Sequence, residues 1–106
     1  MIPKDETFNG TWPYQPHFSQ SAGFNQHYVD IGQGETIICL HGEPTWGYLY
    51  RKMIPPLSET NRVIVPDHMG FGKSETPLDR EYTLKEHTEN LAALIDDLSL
   101  DKITFV

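Results

Sequence analysis

The sequence predicts an α/β fold, a mostly parallel sheet with flanking helices. Three observations lead there. Short runs of β-prone apolar residues recur at residues 36–40, 62–66 and 103–106. Between the last two lies a long segment with helical periodicity. The resulting order, β, β, α, β, α, β, is that of strands joined by right-handed crossovers.

Each element has its own justification. Residues 1–23 carry Pro3, Pro13, Pro16, Gly10 and Gly23, which break any regular element, while Trp12, Tyr14 and Phe18 can pin the segment to a body. They read as an irregular N-terminal arm, and residues 24–106 as a portion of a core domain. Residues 24–31 alternate well enough for a half-exposed strand, and residues 32–35 make a turn. Residues 36–40 form a continuous apolar run, the mark of a strand buried on both faces. From residue 48 to 57 the spacing of Tyr48, Leu49, Met53 and Leu57 predicts a helix, which Pro55 and Pro56 end or cap early.

Residues 62–66 are a second buried strand, and residues 67–77 a glycine-rich loop. The clearest helix spans residues 83–98. Thr83 and Glu86 suit a capping box. Leu84, Leu91, Leu94, Ile95 and Leu98 fall on one stripe, with Glu89, Asn90, Asp96 and Asp97 on the other side. After a turn at Asp101 and Lys102, residues 103–106 begin a third buried strand.

Composition narrows the function. With 106 residues there is room for one small domain, and 38% hydrophobic content is low for a self-sufficient α/β unit. The net charge of -7 argues against nucleic acid and anionic membranes as partners, and is most simply read as solubility. The lone Cys39 excludes an internal disulfide and a cysteine zinc cluster, and its apolar setting makes it a core residue. No apolar stretch nears the ~18 residues needed to span a bilayer. The N-terminus lacks the basic and apolar regions of a signal peptide, so a cytoplasmic location is expected.

In an open α/β sheet, ligands gather beyond the carboxyl ends of the strands. Two loops occupy such positions, residues 41–46 and 67–77. The second ends in Gly72-Lys73-Ser74 and invites a phosphate-loop reading, but Asp67 stands where that motif needs glycine. A dinucleotide fingerprint fails as well, with Glu75 at its third glycine position. The bland alternative is a tight turn at Gly70 and Gly72, with Asp67 bonding loop amides. His41, Glu43, Asp67 and His68 show no metal-ligand spacing, and neither a metal nor a cofactor is expected.

The His41 loop offers more. A strand running into His41-Gly42-Glu43-Pro44 places backbone N–H groups at a strand-to-helix junction, where an anion or a developing oxyanion can be held. The amide of Glu43 is a candidate donor. Gly42 permits close approach of a substrate, and Pro44 fixes the exit of the chain. The Glu43 side chain suits either of two roles, holding a water or capping the helix that follows.

The run HGEPTWGYLYRKMIPPL, then RVIVPDHMGFGKSETP, then YTLKEHTENLAALIDDLSLDKITFV, resembles the N-terminal part of the haloalkane dehalogenases, which have the α/β-hydrolase fold. The resemblance covers roughly residues 28–106. It implies the N-terminal portion of an α/β-hydrolase sheet, truncated before the nucleophile elbow. It also implies an aspartate nucleophile just after the strand ending at Val106, with an acid, a histidine and a helical cap farther on. That aspartate displaces halide from an sp³ carbon, giving an alkyl-enzyme ester that histidine-activated water hydrolyses. Glu43 matches the family's oxyanion-hole position, which contributes its backbone N–H, with His41, Gly42 and Pro44 supporting the loop.

Many members carry asparagine at the Glu43 position and use its side chain to hold the halide. Glu43 aligns this chain with the branch that draws its second halide donor from a cap tryptophan instead. Trp12 and Trp46 do not match halide-binding positions. The implied partners are a small halogenated hydrocarbon, water and the remainder of the same hydrolase chain. The segment alone is expected to be inactive, and its last apolar strand to leave a bare edge. An epoxide hydrolase, a serine esterase and a non-catalytic hydrolase-like binding module are the alternatives. For an epoxide hydrolase, Tyr48 and Tyr50 lie in the wrong region to protonate an epoxide.

Overall fold

A computed structural model describes residues 2–42 and 44–106. Five strands form one sheet: β1 (His17–Ser19), β2 (Gln26–Ile31), β3 (Glu35–Ile38), β4 (Asn61–Pro66) and β5 (Thr104–Phe105). The helices are α1 (Ile54–Ser58) and α2 (Leu84–Asp97), and a 3₁₀ turn spans Gly47–Tyr50. The order across the sheet is β1-β2-β4-β3-β5. β4, β3 and β5 pair in parallel, whereas β2 is antiparallel to both β1 and β4. The sheet is therefore mixed, with β2 alone running against the rest.

The alternation of side chains along β4 explains how two helical layers are held. Ile64 joins Tyr28, Ile38 and Leu94 of α2 on one face. Val63 and Val65 join Trp12, Val29, Cys39, Tyr50 and Ile54 of α1 on the other. A central strand with consecutive apolar residues, Val63 to Pro66, can serve both layers at once. Cys39 is fully buried, and desolvation pushes its thiol up to about 11.

Several expectations from the sequence need correction. The arm is not wholly irregular, because β1 lies within it and Trp12 is fully buried. β2 is buried over its first four residues rather than half-exposed, since strands flank it on both edges. The helix expected over residues 48–57 splits into the 3₁₀ turn and α1. Pro55 and Pro56 open α1 instead of ending a helix, because their missing N–H groups fall where no intrahelical partner exists. β5 is exposed among the described residues, with β3 as its one neighbour among the described strands, which leaves the bare edge expected of this segment.

In α2, Thr83 Oγ1 accepts from the Glu86 N–H at 3.1 Å, closing half of the capping box. The other half stays open because the Glu86 carboxylate accepts from Arg80 Nε at 2.7 Å. Asn90 is buried, not on the solvent side, and accepts from the Arg80 guanidinium at 3.2 Å. Leu84 is 84% exposed although it continues the apolar stripe, and it lines a cavity. No helix of the described residues is long and apolar enough to cross a membrane.

Leu94 and Leu84 share a stripe but not an environment. Leu94→Ala is expected to cost about 2–5 kcal/mol, and Leu84→Ala, whose side chain is exposed among the described residues, clearly less. Urea unfolding midpoints of the two variants check this, and equal losses would contradict the burial described.

Candidate active-site loops

The loops following β3 and β4 meet at the carboxyl end of the sheet, and a buried carboxylate fixes their bases. Asp67, fully buried, is the first residue after β4. Its Oδ1 accepts from the Gly47 N–H at 2.7 Å, at the start of the 3₁₀ turn. Its Oδ2 accepts from the Lys73 N–H at 2.9 Å and pairs with His27 Nδ1 at 2.9 Å. One side chain thus ties β2, the turn after the His41 loop and its own glycine-rich loop together. The expectation that Asp67 bonds loop amides holds. Gly72, at φ +55°, passes so close that an added Cβ would run into this carboxylate.

The phosphate-loop look-alike is consumed by structure. Lys73 Nζ is buried and donates to the carbonyls of Lys4 at 2.7 Å and Glu6 at 2.8 Å. Burial pushes its amine down from the ordinary lysine value, against the opposing pull of Asp67, Asp5 and Glu6. The Ser74 hydroxyl donates to the Asp67 carbonyl at 2.7 Å and accepts from the His27 N–H at 2.9 Å.

Of the site residues expected from sequence, His41 and Gly42 come together and Pro44 lies exposed just beyond them. Glu43 lies outside the described residues. His41 is buried, and its ring sits 4.2 Å from that of His68, centroid to centroid. His41 Nε2 lies 2.9 Å from the His68 backbone N–H, which can only donate. The Nε2 atom therefore carries no proton, and Nδ1 does. His41 Nδ1–H then donates to the Gly42 carbonyl at 2.8 Å. In return His68 Nε2–H donates to the His41 carbonyl at 2.9 Å, since a carbonyl can only accept.

The Gly42 carbonyl also accepts from the Thr45 N–H at 3.0 Å and the Thr45 hydroxyl at 2.7 Å. Three donors thus hold one carbonyl. A Cβ added at Gly42 would meet nothing within 4 Å, so the glycine leaves that side of the loop open.

Beside the loops lies a cavity of about 410 Å³, lined by Leu40, His41, Gly42, His68, Leu84, His87, Thr88 and Leu91. It is apolar apart from the histidines, Thr88 and the loop backbone. His68 was not singled out by the sequence beyond its failure to match a metal spacing. Tyr50 was missed as a loop anchor: its hydroxyl donates to the Leu40 carbonyl at 2.6 Å, just before His41. No periodicity signals either contact, because both bridge elements distant in sequence. Trp46 packs against Trp12 at 5.1 Å and Tyr48 at 5.5 Å, a structural role.

Residues 35–106 match the family described as alpha/beta hydrolase fold. The chain is 41% identical over 97 residues to a cis-3-alkyl-4-alkyloxetan-2-one decarboxylase of Shewanella oneidensis, covering 89% of this chain and 30% of that protein. It is 41% identical over 100 residues to a haloalkane dehalogenase of Psychrobacter cryohalolentis, covering 86% of this chain and 33% of that protein. The tetrameric haloalkane dehalogenase DpaA of Paraglaciecola agarilytica superposes with a TM-score of 0.84 at 41% identity, over 90% of this chain and 35% of that one. The chain thus spans about a third of the length of the curated relatives it matches.

Two predictions follow from the loop bases. Asp67→Ala strands three buried donors and is expected to cost more than about 3 kcal/mol of stability in urea unfolding. A loss under about 1 kcal/mol would show that the carboxylate is dispensable. The second concerns acid. Burial, with the His41 ring beside it, pushes His68 from 6.5 down to about 4. Between those values the unfolded chain binds the proton and the folded chain does not, so stability is lost as pH falls through the window. His68→Leu removes this dependence, and the gap between wild type and variant changes in favour of the variant from pH 7 to pH 4.5. Parallel pH curves for the two proteins would contradict the assignment.

Proposed function

The chain belongs to the α/β-hydrolase family, and on that premise we propose that the whole protein hydrolyses a carbon–halogen bond of a small haloalkane to an alcohol and halide. The triply bonded Gly42 carbonyl carries this reading. The backbone N–H that follows this carbonyl in the chain is that of Glu43, and its proposed role is that of oxyanion donor. The open side of Gly42 and the apolar cavity suit an uncharged substrate.

In the proposed reaction an aspartate, placed by the resemblance beyond Val106, attacks the sp³ carbon, and the halide leaves with the bonding electrons. Histidine-activated water then adds to the carbonyl of the alkyl-enzyme ester. Negative charge develops on the ester oxygen, which the Glu43 N–H stabilises, and collapse releases the alcohol and the carboxylate. The net change is haloalkane plus water to alcohol, halide and a proton. The halide is held by residues other than the Glu43 side chain, whose charge repels it. Water and the haloalkane are the only small partners this chemistry needs.

A second reading, decarboxylation of an oxetan-2-one ring, is favoured by the Shewanella relative of that name. Incubating the whole protein with a short bromoalkane and, separately, with a cis-dialkyl oxetan-2-one separates the two. Halide release supports the first, and CO₂ release without halide the second. A polypeptide of residues 1–106 alone is expected to release no halide, because nucleophile, acid and base are assigned beyond it. Within the whole protein, Glu43→Ala is expected to keep most of kcat. Glu43→Pro, which removes the N–H, is expected to lower kcat by about 10²–10³. Equal effects of the two would remove the backbone-donor role.

A further inference from the structure

We infer that His68 is a positioning residue that holds the oxyanion loop through a reciprocal pair with His41. The loops after β3 and β4 touch through two hydrogen bonds running in opposite directions, His68 N–H to His41 Nε2 and His68 Nε2–H to the His41 carbonyl, each 2.9 Å. Such a pair admits one tautomer of each ring. His41 must carry its proton on Nδ1 and His68 on Nε2, because their partners allow nothing else.

The consequence reaches Gly42. A single fixed tautomer of His41 keeps its Nδ1–H on the Gly42 carbonyl at 2.8 Å. A substitution at position 68 keeps the backbone N–H on His41 Nε2 but takes away the donor to the His41 carbonyl and the ring tilted against His41 at 4.2 Å. The segment that bears the Gly42 carbonyl then loses its side-chain tie to the loop after β4. Among the described contacts, His68 reaches this loop through His41. It acts through His41, from a loop on the neighbouring strand.

The groups facing His68 fit this role. His41 lies on one side and His87 of α2 on the other, with ring centroids 4.2 and 5.3 Å away, and Asp67 precedes it in the chain. The carboxylate of Asp67 is committed to Gly47, Lys73 and His27. Burial and the flanking His41 and His87 rings favour a neutral His68 over the opposing pulls of the His41 carbonyl and Asp67, and a neutral ring is what the reciprocal pair requires.

This inference rests on the hydrolase reading for its kinetic consequence and on geometry for its tautomers, so two measurements separate the two. In the whole protein, His68→Leu is expected to lower kcat for halide release about tenfold, with KM nearly unchanged, because the donor acts on charge that develops only during reaction. His68→Gln, whose side-chain amide nitrogen can replace Nε2–H, is expected to recover most of that loss. A purely structural role would lower the unfolding temperature of both variants and leave kcat of the folded protein unchanged, which would overturn the proposal. Independently, ¹⁵N shifts of the two rings are expected to show His41 protonated on Nδ1 and His68 on Nε2 at neutral pH. The opposite tautomers would overturn the pair whatever the enzyme does. Absence of turnover in wild type, with these tautomers present, would remove the hydrolase reading and leave the pair standing.

Discussion

A fully buried carboxylate organises the carboxyl end of this sheet. Asp67 faces no solvent, yet its two oxygens are met by two backbone N–H groups and a histidine ring. Burying a charge unpaired is prohibitive, so the surrounding chain is obliged to supply donors, and to supply them from fixed directions. That obligation explains the residues nearby. Gly47 must bring its amide close, and a Cβ there would sit 3.0 Å from Oδ1. Gly72 must pass beside Oδ2 with a left-handed backbone. Lys73 lends its amide to Asp67 and sends its ammonium to the arm.

The two loops that frame the cavity are consequently fastened at different levels. Asp67 fixes the base of the β4 loop and the exit of the β3 loop. The histidine pair fixes the next residues outward, and Thr45 closes the β3 loop on itself through the Gly42 carbonyl. Histidine suits the middle level because each neutral ring offers one donor and one acceptor at opposite ends. An aliphatic residue would fill the space without fixing direction. A charged residue would bring a desolvation cost into an apolar setting. Rigid loops on a sheet edge are the arrangement in which donors can be aimed before charge develops.

Much of this was legible in the sequence, and the reasons for the rest are physical. β3, β4 and α2 declare themselves through unbroken apolar runs and a long stripe, because their burial is set by local periodicity. The loop role of Asp67 followed from turn chemistry at Gly70 and Gly72. What escaped was decided by distant partners. Asn90 is polar in a position the stripe assigns to solvent, and Arg80 satisfies it. Pro55 and Pro56 look like helix breakers until the start of α1 is known. His68 and Tyr50 become visible as loop anchors only when β3 and β4 lie side by side. β1 is three residues long, too short for any pattern to mark.

The same scaffold is shared by proteins named for different reactions. Proteins named for cleaving halides and for decarboxylating a strained ring resemble it to the same degree. A feature common to both must be one that both chemistries need. The backbone donor proposed for the loop after β3 meets that condition, since it would stabilise negative charge on oxygen without specifying which bond made it. The Glu43 side chain is different, because a carboxylate is costly beside a halide and tolerable beside water. On the proposed function, the choice among reactions lies with the nucleophile and the cap that the resemblance implies. The loops described here contribute a fixed, chemically general support.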